Sequence, residues 1–256
     1  IVAPAIPDQE RPTRNGCVIG RGIDTPLAIR PAFGDLPIEV RDAETDGDLD
    51  AVVAAAALDC NLIVGARGMG AALARHLARL EPGRGEGPAR FSPDDATLFA
   101  FGSRDPITER QIHRLIREGA VRRVLEAPGG WLSIGGRIPL PALACCSGVL
   151  AEPADIVAQR FALGVRDMMS AAEARVLIMG GGDTALAVLE AVGIDVLHPR
   201  GEIVAGVPWF DVIRTDGPHL RAVVKSGGFG SEDNLLSMVP ALRDSEDMRN
   251  KENAIG

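Results

Sequence analysis

Residue types able to do chemistry concentrate in two stretches of the 256-residue chain, and both follow one design. The first runs Ala174-Arg-Val-Leu-Ile-Met-Gly-Gly-Gly-Asp-Thr184 and on to Gly193. Its four apolar residues 176–179 are too few for a helix and read as a strand buried on both faces. Gly180, Gly181 and Gly182 end that strand. Asp183 or Thr184 is then placed to cap a helix whose Leu186, Val188, Leu189 and Val192 recur at helical spacing up to Gly193. A strand, a glycine turn and a helix start leave free backbone N–H groups at the carboxyl edge of a sheet, and that arrangement binds phosphate. Glycines also stand at such turns simply to let the chain reverse sharply.

The second stretch, residues 220–230, repeats the pattern: an apolar strand, then Lys225, Ser226, Gly227, Gly228 and Gly230. Ser231 or Asp233 would cap a helix over residues 234–242. Two such turns in one sheet would hold the two ends of a nucleotide. Lys225 either neutralises a phosphate or is a solvated strand end, and Asp183 either serves chemistry or only caps its helix.

The elements that must position these turns can be read in order. Residues 97–101 form a strand, and Pro106 or Thr108 opens a helix through Gln111, Ile112, Leu115 and Ile116. Residues 121–125 are the next strand, and residues 128–141, rich in glycine, are a loop or hairpin. Residues 153–172 form a long amphipathic helix whose Met and Phe side chains read as core. Residues 196–204 and 206–213 read as hairpin-like strands leading to the last strand at Leu220. Upstream, a short strand is expected at residues 38–40 and a helix from Asp48 to Leu58 capped by Thr45 or Asp46. No regular structure is expected over residues 20–37, and the charged tail from Arg243 has no apolar face.

Composition shifts at residues 81–88, rich in Pro, Gly and charge, which divides the chain into a segment 1–88 and a segment 89–256. A formal net charge of −8 argues against a nucleic-acid partner, which needs a basic face. No apolar run reaches membrane-spanning length. The four cysteines, Cys17, Cys60, Cys145 and Cys146, show no Cys-x-x-Cys pair and read as free thiols of a cytoplasmic protein. His76, His113, His198 and His219 have no ligand spacing, so no protein metal centre is expected. A homo-oligomer is compatible with the sequence, which does not fix the oligomeric state.

A third glycine turn, at Gly65, Gly68 and Gly70, resembles those of dinucleotide-binding folds. No acidic residue ends a following strand at the expected distance. An NAD(P)-dependent oxidoreductase built on this turn is therefore an alternative, as is a non-catalytic nucleotide-binding module.

Four patterns in order, Gly102-Ser-Arg-Asp-Pro-Ile-Thr108 with Gln111, Gly181-Gly-Asp-Thr-Ala185, Gly201-Glu-Ile203 with Gly206-Val-Pro208, and Lys225-Ser-Gly-Gly-Phe-Gly230, resemble the C-terminal nucleotide-binding half of the four-carbon acid sugar kinase family. Residues 3–16, 42–46 and 65–68 are similar to passages of that family's acid-sugar domain. The resemblance implies two α/β domains with mainly parallel sheets. Residues 1–88 would be a substrate domain, incomplete because the family's Asp-Asp-x-Thr-Gly-Ala segment is missing. Residues 89–256 would be the nucleotide-binding domain. It also implies ATP- and Mg2+-dependent phosphorylation of a hydroxyl on a small sugar acid such as a tetronate or 3-oxo-tetronate. On this resemblance Ser103 and Thr108 contact the nucleotide, and Gly181, Gly182 and Thr184 contact its phosphates. Lys225, Ser226, Gly227 and Gly228 close the other side. Asp183 holds Mg2+ or orients the attacking hydroxyl, and Arg11 and Arg14 face the sugar carboxylate across a cleft.

Overall fold

Apolar runs bounded by glycine and proline set the strands of the larger of two compact units, Ile1–Glu86 and Gly87–Gly256. The structure is a computed structural model, and it describes residues 1–80, 87–149, 151–213, 219–226 and 230–240.

In the first unit, β1 (Val2–Ala3) pairs in parallel with β5 (Val64–Gly65). Strands β2 (Thr13–Arg14), β3 (Cys17–Val18) and β4 (Leu27–Ala28) form a small antiparallel sheet. Helix α1 (Asp46–Ala55) starts at a capping box, in which the Thr45 hydroxyl accepts from the Asp48 amide and the Asp48 carboxylate accepts from the Thr45 amide. Helix α2 (Arg67–Leu80) follows β5 directly. Leu49, Val53, Met69 and Ala72 close over Ala3 and Ala5 as the core. Two expectations fail here. Val40 makes only an isolated bridge to Val2 rather than a strand, and residues 20–37 contain β4 and a 3-10 turn at Arg30–Phe33.

In the second unit the strands are β6 (Thr97–Phe101), β7 (Arg123–Pro128), β8 (Ala142–Ser147), β9 (Val176–Gly180), β10 (His198–Glu202), β11 (Pro208–Val212) and β12 (Leu220–Lys225). They form one sheet in the order β10-β11-β12-β9-β6-β8-β7. The five from β12 to β7 are parallel, while β10 and β11 are antiparallel additions at one edge. Both β6 and β9 are buried at every position, as central parallel strands must be when helices cover both faces.

Helix α3 (Pro106–Arg117) lays Ile112 and Leu115 on one face, with Phe99, Phe101 and Ile178. Helices α4 (Ala154–Ala172) and α5 (Gly182–Val192) lay Phe161, Val165, Met168, Ala185 and Val188 on the other, with Leu98, Leu177 and Met179. The chain therefore leaves β6 toward one face and β9 toward the opposite face. Between these neighbours a crevice opens at the carboxyl edge, where α/β sheets bind their ligands.

Strand β8 was not expected from sequence. The helix expected over residues 234–242 is, within the described residues, a turn followed by a 3-10 segment at Leu236–Met238. The polar tail from Arg243 lies outside the described residues. The sheet's amino edge is tied by Asp94, whose carboxylate accepts from Arg175 ahead of β9 (2.8 Å) and from Arg221 in β12 (3.1 Å).

Candidate functional site

Helix α5 begins differently from the sequence expectation. Neither Asp183 nor Thr184 caps it. Gly181 is the N-cap, with φ +95° and no side-chain hydrogen bond, and Asp183 lies inside the first turn. Only glycine adopts that backbone conformation without strain, so the turn needs no capping side chain to form. The Gly181 amide donates to the Lys225 carbonyl at 3.0 Å, pinning the turn to the end of β12, and the Ala185 amide donates back to the Gly181 carbonyl at 2.9 Å. The amides of Gly182, Asp183 and Thr184 thus precede the first helical hydrogen bond and have no acceptor within the helix.

Those three residues line a cavity of about 300 Å3 at the crevice, the lower end of the size range of small-ligand sites. Its polar side is completed by Ser103 and Arg104 from the β6–α3 loop. Its apolar side is Cys146 at the end of β8 with Val157, Ala158 and Phe161 of α4. The loop can come this close because position 102 is glycine: a Cβ there would run into the Thr184 hydroxyl. The Ser103 hydroxyl accepts from the Asp105 amide at 3.2 Å, and Asp105 caps α3 by accepting from the Ile107 amide at 2.8 Å.

Thr108 and Lys225 lie behind this surface, both fully buried. The Lys225 ammonium donates to the Thr108 hydroxyl (3.2 Å) and to the Ser226 carbonyl (3.1 Å). Burial pushes that ammonium down to about 8, against the pull of Asp105. Nearby, the Gln111 amide donates to the Ser231 carbonyl at 2.7 Å, holding α3 to the segment after the second glycine turn. Ser226 is exposed at the end of β12, and Gly227 and Gly228 lie outside the described residues.

Of the residues expected from sequence, Ser103, Gly181, Gly182, Asp183 and Thr184 share one cavity, and Thr108 and Lys225 brace it from beneath. Sequence reasoning missed Arg104, Cys146 and the α4 wall. Arg104 sat in plain view inside the Gly-Ser-Arg-Asp pattern. The wall belongs to a helix whose apolar positions read only as core. Burial and the neighbouring Cys145 push the Cys146 thiol up to about 11, so it is a protonated, apolar lining group. Among the described residues no cluster of three His, Cys, Asp or Glu side chains could hold a metal ion.

In the first unit, Arg14 is bound by Glu44 through two hydrogen bonds (2.8 and 2.6 Å), and Arg11 donates its Nε to the Arg21 carbonyl at 3.0 Å. Two glycines of the third turn, Gly65 and Gly68, are consumed by packing, while a Cβ at Gly70 would meet nothing within 4 Å. A Cβ at Gly68 would stand 2.6 Å from the Ala5 carbonyl oxygen and 2.8 Å from Leu49, and one at Gly65 would stand 2.9 Å from the Ala3 carbonyl oxygen. All four cysteines are free, and no helix among the described residues is long and apolar enough to cross a membrane.

Residues 141–235 match the nucleotide-binding C-terminal domain family. The chain is 33% identical to a 3-oxo-tetronate kinase of Methylobacterium radiotolerans, over 76% of this chain and 51% of that protein. It is 27% identical to a 3-oxo-tetronate kinase of Cupriavidus necator, over 76% of this chain and 49% of that protein. The chain therefore spans about half the length of these curated relatives. In fold it is similar to the crystal structure of Haemophilus influenzae protein HI1011, with a TM-score of 0.60 at 17% identity, covering 93% of this chain and 72% of that one.

Proposed function

The chain belongs to the four-carbon acid sugar kinase family, and from that premise we propose that it takes part in ATP-dependent phosphoryl transfer to an alcohol group of a small sugar acid, such as a tetronate or 3-oxo-tetronate. The observation that carries this reading is the uncapped start of α5, which presents the Gly182, Asp183 and Thr184 amides to a cavity at the point where the chain leaves adjacent strands toward opposite faces.

Phosphoryl transfer asks a protein for positioning and charge stabilisation rather than covalent chemistry. The α5 amides and the Ser103 hydroxyl receive phosphate oxygens, and the apolar α4 wall excludes water from one side. Thr108 and Lys225, as a buried pair, hold the β12 end to which Gly181 is hydrogen-bonded. Ser226, at the end of β12, closes the opposite side of the nucleotide. The acceptor hydroxyl oxygen bonds to the terminal phosphorus as the bond to the ADP oxygen breaks, and its proton passes to the Asp183 carboxylate. Mg2+, when bound with the nucleotide, would neutralise phosphate charge, and Asp183 is the carboxylate on this chain that would hold it in place of orienting the hydroxyl. Residues 1–88 are assigned to the acid and residues 89–256 to the nucleotide. Arg11 and Arg14 receive the acid's carboxylate, Arg14 with its charge already partly matched by Glu44.

Thermal unfolding with ATP–Mg2+ and with NADH tests the reading. ATP–Mg2+ at a hundred times its Kd adds about 2.7 kcal/mol of stability and raises the midpoint, while NADH leaves it in place. ADP release over a panel of tetronates and 3-oxo-tetronates then reports transfer. A midpoint raised only by NADH would return the function to the Gly65 turn, and ATP binding without ADP release on any acid would leave a nucleotide-binding module.

A further inference from the structure

The β6–α3 loop puts three polar side chains in succession, and two of them are committed to local structure. Ser103 accepts from the Asp105 amide, and Asp105 caps α3. Arg104, between them, is exposed, lines the cavity, and makes no hydrogen bond or ion pair among the described residues. Other arginines near this edge of the sheet are occupied. Arg160 is bound by Glu152 at 2.6 Å and Arg114 by Asp233 at 2.9 Å. The positive charge of Arg104 is felt at the Cys146 thiol across the cavity, where it opposes the effect of burial. Asp183 lines the same cavity and does not pair with Arg104, so a cation and an anion share one cavity with the free amides.

An unpaired guanidinium lining one cavity with free amides and a carboxylate suits a ligand that is itself multiply anionic, which would take the guanidinium directly and the carboxylate through a divalent cation.

We propose that Arg104 binds the outer phosphates of the nucleotide held at the Gly181 turn and is the residue by which this site prefers a nucleoside triphosphate to a monophosphate. The inference rests on the nucleotide-binding reading and adds to it a named specificity residue. Because the side chain is exposed and unpaired, its removal leaves the fold alone and acts on the ligand only.

Isothermal titration of the intact chain with ATP–Mg2+ and with AMP, for the unsubstituted protein, Arg104→Ala and Arg104→Lys, tests the proposal. Loss of a charge-assisted phosphate contact should weaken ATP by about tenfold or more in Arg104→Ala, with AMP weakened less than about threefold and the unfolding midpoint unchanged. Arg104→Lys, which keeps the charge but not the fork, should fall between. Equal weakening of ATP and AMP, or none of either, would overturn the role of Arg104 while the nucleotide reading stands. Failure of the unsubstituted protein to bind ATP or AMP would overturn both.

Discussion

Two turns of this molecule share one local sequence design, a short apolar strand, clustered glycines and a helix, yet use their glycines in opposite ways. At Gly65 and Gly68 the absent side chains make room for protein: the Ala3 and Ala5 carbonyls and Leu49 occupy the space where a Cβ would stand. At Gly181 and Gly182 the turn is anchored from behind, by the Lys225 carbonyl, and a Cβ at Gly182 would meet nothing within 4 Å. The first turn is full at Gly65 and Gly68, and the second is open at Gly182. Glycine spacing alone does not separate a packing device from an anion site, because both demand close approach to backbone and differ only in what approaches.

The sharpest way to break the contrast is a side chain in the open turn. Gly182→Val should lower ATP affinity by about a hundredfold or more, since it fills the space beside the free amides, and should move the unfolding midpoint little at an exposed helix start. Titration with ATP–Mg2+ and a melting curve check both halves; retained affinity would remove the phosphate role from this turn. In the full turn the outcome reverses. Gly68→Ala should destabilise the first unit by about 1–3 kcal/mol through overpacking, measured by urea unfolding, with ATP affinity unchanged.

Away from the turns, the two edges of the large sheet extend the same contrast. The amino edge is closed by Asp94. Burial raises its pKa, but its hydrogen bonds with Arg175 and the Ala96 amide outweigh this and hold it below the usual carboxylate range. A lowered folded pKa gives stability that is present above the unfolded value and lost as pH falls through the folded one. Asp94→Asn should therefore cost about 1–2 kcal/mol at neutral pH and flatten the acid limb of the stability curve below about pH 4. The smallest effect belongs to Lys225. Its folded pKa near 8 lies below the unfolded value, so between the two the unfolded chain holds more protons and stability rises with pH. Lys225→Met should abolish that rise, as seen in melting midpoints from pH 8 to about pH 10.

Much of the second unit was legible in the sequence because its elements are long and uniformly patterned. The strand at residues 97–101, the long helix before Ala172, and the strand and helix around Gly181 appear where apolar spacing puts them. Strand β8 was hidden because Ala142, Ala144, Cys145 and Cys146 are small residues without strong strand preference, lying between Pro141 and Gly148. Its side chains alternate between the two faces, so Cys145 joins one core and Cys146 the other, which also explains why adjacent cysteines stay reduced. The cap assigned to Asp183 or Thr184 failed because a glycine at positive φ had already made the turn.

The sequence by itself determined the local elements: where strands stop, where helices begin, and that glycine-rich turns join them, because periodicity and backbone freedom are properties of consecutive residues. Only the tertiary structure decided which turn stayed open. That depends on atoms distant in the chain, Leu49 beside Gly68, Lys225 behind Gly181, Thr184 under Gly102, and on Arg104 of the β6–α3 loop and Asp183 of the first turn of α5 reaching one cavity without pairing. A free amide or an unpaired charge is defined by what surrounds it in space, and no spacing along the chain encodes that directly.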